Sequence, residues 1–353
     1  MTIFKQEEYL EASKTIKWIL LLSIFNSFTA CNEITRGNSQ IRYDDSGQYT
    51  SGHIVSKLGD HLWYVFQDKK NNYWFGSDGE GVYRFDGNSI LNFTTKDGLC
   101  SNQIRQIQED TLGNIFFSTL EGINKYDGNQ MTKLQSIKST DWKSEPNDLW
   151  FNMLGKRNEN GPYRYDGINL YQLEFPKHYL HDEMTARGIN TFFSPYEVYC
   201  IYKDRKGIMW FGTSVFGACR FDGHSIKWMY EKDLTIVPAG GSFGIRSIFE
   251  DREGTFWLCN TLHRYVFDLD KTAQSDRLQY QKIIGIGNKK IFDGDEYIYY
   301  SYIKEDKKGN IWLTTWDKGV YKYDGEHITH FPVKEESKVV HLVSMYIDND
   351  GGL

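Results

Sequence analysis

The residues with the clearest chemical potential form one short cluster, His178-Tyr-Leu-His181-Asp-Glu183. Two imidazoles beside two carboxylates can bind a metal ion or move protons. A spacing of three residues suits metal ligation well only on a helix, and no flanking signature supports a site. A polar surface loop is therefore the favoured interpretation, and neither a metal nor another cofactor is predicted.

Carboxylates also recur in Asp-x-x-Gly segments. One carboxylate per segment cannot supply the roughly six to eight converging oxygens of a calcium site. Aspartate in the first position and glycine or asparagine in the fourth suit a tight turn, because the carboxylate caps backbone amides and the last residue can take positive φ. The aspartates are therefore predicted to build turns. They are Asp68, Asp110, Asp204, Asp251, Asp306 and Asp348.

These turns belong to a repeated unit. Three residues after the last position of the first five turns stands an aromatic residue, Trp150 stands at the matching place after Asn147, and further along the units a second, Asp-Gly turn follows. The runs between turns are rich in β-branched and aromatic residues, so each unit of about forty residues is predicted to form four strands. The aromatic residues, which are expected to pack between units, are Trp74, Phe116, Trp150, Trp210, Trp257 and Trp312.

Such a unit covers both faces of its sheet only by stacking against neighbours. The sequence therefore predicts an all-β fold, a β-propeller of four-stranded antiparallel blades that occupies residues 40–353. Seven blades are expected: six clear units, and a seventh in which an outer strand within Gln48 to Ser56 joins a C-terminal strand that follows Val339. In the alternative, the seventh blade is partial.

Antiparallel pairing puts both kinds of turn on one face of the ring. The opposite face receives the remaining loops, and inserts at 176–194, 231–243 and 271–296 are expected there. Variable loops on a rigid scaffold commonly carry binding, and aromatic faces with polar neighbours suit a sugar or another small polar ligand. The candidate ligand-binding residues on this face are Asp78, Glu80, Arg157, His178, His181, His263, Trp316 and Asp317.

The N-terminus differs from the repeats. Lys14 and Lys17 precede an apolar run at 18–28, which is short for a membrane span but suits an export signal. The sequence Phe28-Thr-Ala-Cys31 resembles a bacterial lipoprotein box, which implies that Cys31 carries a lipid on its thiol. Residues 1–30 are then a signal peptide and 31–39 a tether. An ordinary signal peptide or an uncleaved anchor is the alternative.

Composition restricts the partners. The 353 residues include 41 Lys and Arg against 47 Asp and Glu, a net charge of -6, and no basic stripe is present, so nucleic acid is not an expected partner. Export would permit disulfides, but buried free thiols are an equal alternative. The cysteines concerned are Cys100, Cys200, Cys219 and Cys259.

Two stretches of the last unit, Ile303-Lys-Glu-Asp-Lys-Lys-Gly-Asn-Ile-Trp312 and Gly319-Val-Tyr-Lys-Tyr-Asp-Gly325, resemble the two-component regulator propeller repeat family. The resemblance spans residues 62–353. In that family, propellers form the extracytoplasmic sensing part of hybrid histidine kinases, often in bacteria that detect glycans, and stand-alone exported lipoproteins also occur. The sequence shows no kinase or receiver domain, which favours the stand-alone form.

The resemblance implies a lipid-anchored protein of the bacterial cell envelope that contacts the membrane only through its anchor. We expect a sensor-like module that binds a small molecule, an oligosaccharide or an envelope protein, without catalysis. One alternative is a lyase or hydrolase that uses the histidine-bearing loops, since streptogramin-inactivating lyases have a similar propeller. A second alternative is a structural lipoprotein of an envelope assembly.

Overall fold

The computed structural model describes residues 52–155, 160–186, 194–235, 243–287, 297–335 and 338–353. Short strands dominate, because β-branched and aromatic runs alternate with turn residues along the whole chain. The strands are β1 (His53–Val55), β2 (Leu62–Gln67), β3 (Tyr73–Ser77), β4 (Val82–Phe85), β5 (Ile90–Phe93), β6 (Ile104–Glu109), β7 (Ile115–Thr119), β8 (Gly122–Tyr126), β9 (Met131–Lys133), β10 (Ser136–Ser139), β11 (Leu149–Phe151), β12 (Tyr163–Tyr165), β13 (Leu170–Leu173), β14 (Val198–Lys203), β15 (Met209–Thr213), β16 (Ala218–Phe221), β17 (Ile226–Met229), β18 (Ile248–Glu250), β19 (Phe256–Leu258), β20 (His263–Phe267), β21 (Tyr280–Ile284), β22 (Tyr302–Glu305), β23 (Ile311–Thr314), β24 (Val320–Tyr323), β25 (Ile328–Phe331), β26 (Lys334–Glu335) and β27 (Lys338–Val339).

Among the described residues, three short α-helices lie between strands, α1 (His181–Ala186), α2 (Lys232–Thr235) and α3 (Leu269–Ala273), and a 3-10 helix spans Thr95–Asp97. The strands form six blades in chain order. Blade 1 contains β1 to β5, blade 2 contains β6 to β9, blade 3 contains β10 to β13, blade 4 contains β14 to β17, blade 5 contains β18 to β21, and blade 6 contains β22 to β25. The predicted all-β propeller is confirmed. Among the described residues, no helix is long and apolar enough to cross a membrane.

The prediction of seven blades is wrong, because the described residues form six. Residues 53–55 were expected in the outer strand of a seventh blade, but as β1 they pair antiparallel with β5, from His53 opposite Asn92 to Val55 opposite Ile90. The free ladder edge of blade 1 therefore takes this strand. At the other end, β26 and β27 form a two-stranded hairpin, and residues 340–353 pair in no ladder. Residues 40–51 lie outside the described residues.

The C-terminal segment 342–352 closes the ring between blade 6 and blade 1. Ser344 Oγ donates a hydrogen bond to the carbonyl of Trp63 in blade 1. On the other side, Ser301 Oγ of blade 6 donates to the carbonyl of Leu342 at 2.8 Å. The first and last blades are thus joined through this segment, whose contacts with both neighbours involve side chains and not a shared ladder.

Blade 3 departs from the predicted four-stranded antiparallel pattern. Strand β10 lies at the outer edge and runs parallel to β13, with Ser136 opposite Leu170, so β11 is the innermost strand. The chain then crosses the blade before β11, and on this crossing Trp142 packs against Phe175 at 5.1 Å between ring centroids. The other blades place their first repeat strand innermost, as β2, β6, β14, β18 and β22.

The Asp-x-x-Gly turns confirm the predicted capping role and add a second one. In blade 5, one oxygen of Asp251 accepts the backbone N–H of Glu253 at 3.1 Å and of Thr255 at 2.8 Å. The other oxygen accepts the indole N–H of Trp257 at 2.8 Å. The same aspartate–indole bond recurs at 2.8 to 2.9 Å in the pairs Asp68–Trp74, Asp204–Trp210 and Asp306–Trp312.

The core lies between blades, as the aromatic repeat predicts. Trp74 of blade 1 is 1% exposed, and its ring centroid is 5.4 Å from that of Phe117 in blade 2. Trp210 of blade 4 is equally buried and lies 4.7 Å from Phe256 of blade 5. Aromatic burial on both sides of each sheet therefore holds neighbouring blades together.

One insert is placed differently from the prediction. Residues 268–279, which include α3, join β20 to β21, so this insert begins on the face that carries the turns, and its Arg277 and Leu278 lie along the outer strand β17 of blade 4. Residues 285–287 after β21 begin on the opposite face. We call these the turn face and the loop face.

The described cysteines are free thiols. Cys200 in β14 and Cys219 in β16 are separated by β15, so their positions do not suit a disulfide.

Candidate functional site

The predicted site residues are spread over four places on the ring. Asp78 and Glu80 lie in the β3–β4 loop, His178 and His181 in the link from blade 3 to blade 4, His263 at the start of β20, and Trp316 and Asp317 in the β23–β24 loop. Arg157 and Cys31 lie outside the described residues.

His178 is a buried packing residue, although its sequence context favours a surface loop. It is 1% exposed, and its ring lies 4.4 Å from that of Phe216 at an interplanar angle of 15°. Nδ1 accepts the backbone N–H of Leu180 at 3.1 Å. Burial lowers the pKa of His178 to about 3, with further lowering by Arg277 and His181. The imidazole is therefore neutral near pH 7.

His181 shares one partner with His178. The Tyr196 hydroxyl lies 3.1 Å from Nδ1 of His181 and accepts the backbone N–H of His178 at 2.9 Å. His263 belongs to blade 5, and no described contact joins it to this pair. Within the described ranges, no group of three or more His, Cys, Asp or Glu residues could hold a metal ion. The three predicted histidines therefore do not form one site.

Asp78 belongs to an arrangement that the sequence did not indicate. Its Oδ1 lies 3.0 Å from Nη1 of Arg105, whose side chain is 7% exposed, and it also accepts a hydrogen bond from Gln103 at 3.1 Å. The Arg105 guanidinium lies over the ring of Trp63, 4.8 Å from its centroid. Arg105 Nε also donates to the Leu154 carbonyl at 3.0 Å. A cation is thus held between an indole and a carboxylate.

β-Bulges explain why these side chains meet. The register of the inner strand shifts around Trp63 in β2, around Arg105 in β6 and around Tyr199 in β14. A bulge leaves one residue outside the ladder and re-aims its side chain. Each of these residues stands five positions before the aspartate of its turn, near the loop-face end of the inner strand. The same position is Arg246 in blade 5 and Ser301 in blade 6.

We call these five residues the mouth positions, because inner strands surround the axis of a propeller. Two pairs of mouth positions stack across neighbouring blades. Arg105 stacks on Trp63, and the Arg246 guanidinium lies 4.6 Å from the ring centroid of Tyr199. Both pairs join a cation to an aromatic face, an attraction of about 0.5 to 2 kcal/mol.

The two arginines both influence the hydroxyl of Tyr64. Burial raises the pKa of Tyr64 to about 12, while the positive charges of Arg105 and Arg246 act in the opposite direction on the same hydroxyl. Tyr64 follows the bulge in β2, next to Trp63. The positive charges of Arg105 in blade 2 and Arg246 in blade 5 thus both act on one inner-strand hydroxyl.

The loops β3–β4, β15–β16 and β23–β24 are closed by the same backbone hydrogen bond in blades 1, 4 and 6. Backbone bonds from Ser77 to Gly81, Thr213 to Gly217 and Thr315 to Gly319, of 2.8 to 3.0 Å, close the same four-residue span. Asp78, Ser214 and Trp316 consequently occupy one equivalent position. Trp316 is 47% exposed, and its ring stacks on His341 at 4.6 Å. Asp317 beside it is exposed.

Glu80 is bound within its own blade. The Tyr83 hydroxyl donates to Glu80 Oε2 at 3.2 Å, and burial together with this carboxylate raises the pKa of Tyr83 to about 12. The sequence singles out Asp78 and Trp316 as candidates because they lie in loops, whereas Arg105 and Arg246 belong to inner-strand segments and are not singled out. The signal was the fifth position before each turn aspartate, where residue types diverge within an otherwise regular repeat.

A family model described as two component regulator propeller matches residues 193–215, which include β14 and β15. The chain contains the two-component regulator propeller repeat. This confirms the resemblance drawn from the repeated turns. None of the curated proteins matches the chain.

Solved structures show the same fold. The extracellular domain of a protein described as a one component system of B. thetaiotaomicron has a TM-score of 0.55 and 17% identity, over 86% of this chain and 38% of that one. Virginiamycin B lyase from Staphylococcus aureus has a TM-score of 0.55 and 12% identity, over 80% and 88%. PorZ, a surface component of the type-IX secretion system of Porphyromonas gingivalis, has a TM-score of 0.55 and 14% identity, over 83% of this chain and 45% of that one.

These identities establish a shared fold alone. The propeller-repeat chain spans about two fifths of the length of the first neighbour, which extends well beyond the shared region.

Proposed function

We propose that this propeller-repeat chain is an exported, sensor-like module that binds a small polar ligand at the loop-face mouth of its channel. The observation that carries the proposal is the bulge at Trp63, Arg105 and Tyr199, which turns the divergent residues of three blades out of their ladders. The turn face, by contrast, carries the same aspartate-capped turn in successive blades. A rigid scaffold with its variation confined to one mouth suits recognition.

Binding is favoured over catalysis by the state of the candidate acid–base groups. His178 is neutral and occluded by Phe216, and Asp78 is already paired with Arg105. A general base must reach the proton that it abstracts and must have a suitable pKa. The extracellular domain of the one component system of B. thetaiotaomicron, whose fold this chain shares, adds support by analogy.

The ligand in this proposal is a saccharide or another small polar molecule. Trp316 supplies an exposed aromatic face at the position equivalent to Asp78, and such faces stack on sugar rings. An envelope protein is the alternative partner, and the fold that this chain shares with the surface component PorZ supports that alternative.

A thermal-shift screen of the full chain in detergent against neutral and acidic saccharides and small metabolites tests the proposal, since a ligand that binds only the folded state raises Tm. We expect a shift that Trp316→Ala reduces and Leu112→Ala leaves unchanged. Leu112 is the matched control because it is 85% exposed and belongs to a turn of the opposite face. No shift with any compound, together with stable co-purification of an envelope complex, would favour the assembly role instead.

We further propose that Cys31 anchors the protein to a membrane of the bacterial cell envelope. The support is the Phe28-Thr-Ala-Cys31 sequence after an apolar run. Mass spectrometry of the mature N-terminus tests this directly. A diacylglycerol on the Cys31 thiol is the expected result, and a mature N-terminus without lipid would contradict it.

A further inference from the structure

Arg246 differs from its counterpart in blade 2 in what neutralises its charge. Arg105 stacks on Trp63 and is paired with Asp78 at 3.0 Å. Arg246 occupies the same position of the repeat and stacks on Tyr199 at 4.6 Å. No ion pair to Arg246 is found among the residues that the structure describes.

The reason is a substitution within the repeat. The position that carries the Asp78 carboxylate beside Arg105 carries Ser214 beside Arg246, in a loop closed by the same backbone bond. Ser214 Oγ donates to the Ser194 carbonyl at 2.6 Å. Ser214 therefore lies where an internal carboxylate stands in the first blade, but it brings no negative charge.

The buried carboxylate of Glu197 does not replace it. Glu197 is 2% exposed and contributes a negative charge near Tyr199, but its Oε1 accepts the backbone N–H of Gly155 at 2.7 Å. Glu197 is not within 4.0 Å of the Arg246 guanidinium. The half-buried Arg246 therefore has no carboxylate partner among the residues that the structure describes.

Aromatic residues surround this cation on more than one side. The Arg246 guanidinium also lies 5.2 Å from the ring centroid of Phe243, and Nε donates to the Phe243 carbonyl at 3.0 Å. Phe243 in turn packs on Tyr299 of the next blade at 4.8 Å. With Nε engaged, the terminal nitrogens of a planar guanidinium remain to bind a carboxylate.

We infer that Arg246, framed by Tyr199 and Phe243, is a subsite for a ligand carboxylate that lies next to a flat ring. This inference rests on the proposed function of the channel mouth and names the chemistry of its ligand. The ligand carboxylate takes the place that Asp78 takes beside Arg105. An aromatic acid and an acidic sugar both carry this chemistry, so both serve as probes.

Isothermal titration of the full chain compares two matched pairs of probes, benzoate with benzamide and glucuronate with glucose. A charge-assisted contact to a guanidinium is worth about 1.5 to 3 kcal/mol, which corresponds to a roughly tenfold to hundredfold difference in affinity. We expect at least one acid to bind that much more tightly than its neutral partner. Arg246→Gln should remove the difference.

Arg277→Gln is the matched control. Arg277 is also stacked on an aromatic ring, that of Tyr179 at 3.7 Å, but it belongs to the insert between β20 and β21 and does not stand at a mouth position. This variant should bind the acid as the unmodified protein does. Equal loss in both variants would overturn the assignment.

Ser214→Asp provides a second test that keeps the arginine. The new carboxylate occupies the Asp78-equivalent position, so it should pair with Arg246 and lower the affinity for the acid about tenfold or more. Unchanged acid binding in both Arg246→Gln and Ser214→Asp would overturn the inference. Equal affinities within both pairs of probes, benzoate with benzamide and glucuronate with glucose, would also overturn it, while leaving the proposed function intact. A chain that binds no compound of the wider screen would contradict both.

Discussion

The aspartate–indole bond offers the sharpest test of how the repeat stabilises the ring. Asp251→Ala removes the acceptor of the Trp257 indole N–H and of the Thr255 backbone N–H. Trp257 is 1% exposed and Thr255 is 8% exposed, so water cannot readily replace the lost acceptor. Each buried donor left without a partner costs about 1 to 3 kcal/mol. The expected loss in the free energy of unfolding is therefore about 2 to 6 kcal/mol.

A double-mutant cycle isolates the share of the indole. Trp257→Phe keeps an aromatic ring but removes the N–H, so the cost of Asp251→Ala should be smaller in that background. The coupling energy expected for a hydrogen bond to a charged group is about 1.5 to 3 kcal/mol. Urea denaturation of the four proteins, followed by far-UV circular dichroism, measures each free energy.

Blade 2 supplies the control, because Asp110 has a turn of the same form but is followed by Phe116 and not by tryptophan. Asp110 accepts the backbone N–H of Leu112 and of Asn114, each at 2.9 Å, and no indole depends on it. Asp110→Ala should therefore cost less than Asp251→Ala. A coupling energy below about 0.5 kcal/mol in blade 5, or equal costs in the two blades, would refute the structural role of the indole bond.

Three further predictions concern charge. Backbone N–H donors lower the pKa of Asp127 and Asp324 in the second turns. Both carboxylates therefore stabilise the folded protein above the pKa of about 4 that they have in the unfolded chain, and this stabilisation is lost as pH falls through their folded pKa. Tm should accordingly fall between pH 5 and about pH 2. Burial lowers the pKa of His178 in the folded protein, so the unfolded chain binds a proton first as pH falls. The free energy of unfolding should therefore fall by about 1.4 kcal/mol per pH unit below about pH 6.5. Urea denaturation at about pH 7 and pH 5 should show that His178→Phe lacks this part of the pH dependence. Asp78→Asn should lower the free energy of unfolding by about 1 to 3 kcal/mol, because it leaves the Arg105 guanidinium without its charged partner, and an unchanged urea midpoint would contradict this.

The sequence allows the blade to be predicted because each of its parts has a local cause. Aspartate and glycine determine the turns, and the aromatic residue that follows them determines which side of the strand is buried. The number of blades has no such local signal. It depends on whether residues 53–55 find a better edge on β5 or on a strand at the other end of the chain, and the structure shows that they pair with β5.

Blade 3 and the mouth show two further limits. Ser136–Ser139 has a short, mostly exposed strand sequence with no alternation of apolar residues, so nothing local indicates that it pairs in parallel with β13. Asp78 and Trp316 could be proposed as candidates because they lie in loops that break the repeat. Arg246 could not be proposed in this way, because its contact with Tyr199 joins two blades. Its position in the repeat stands out only through the β-bulges that three other inner strands have at the equivalent residue.

Closure of the ring by residues 342–352 has a consequence for the order of folding. The contact between Ser344 and Trp63 joins residues 281 positions apart, whereas successive strands of one blade are joined by short turns. Contacts between distant residues are made late, because loop-closure entropy is lost before they contribute. The junction also lacks a backbone ladder of its own, so its amides should exchange with solvent through local openings of lower free energy than those of the blades. The seam between the first and last blades is therefore expected to form last during folding and to open first in the native protein.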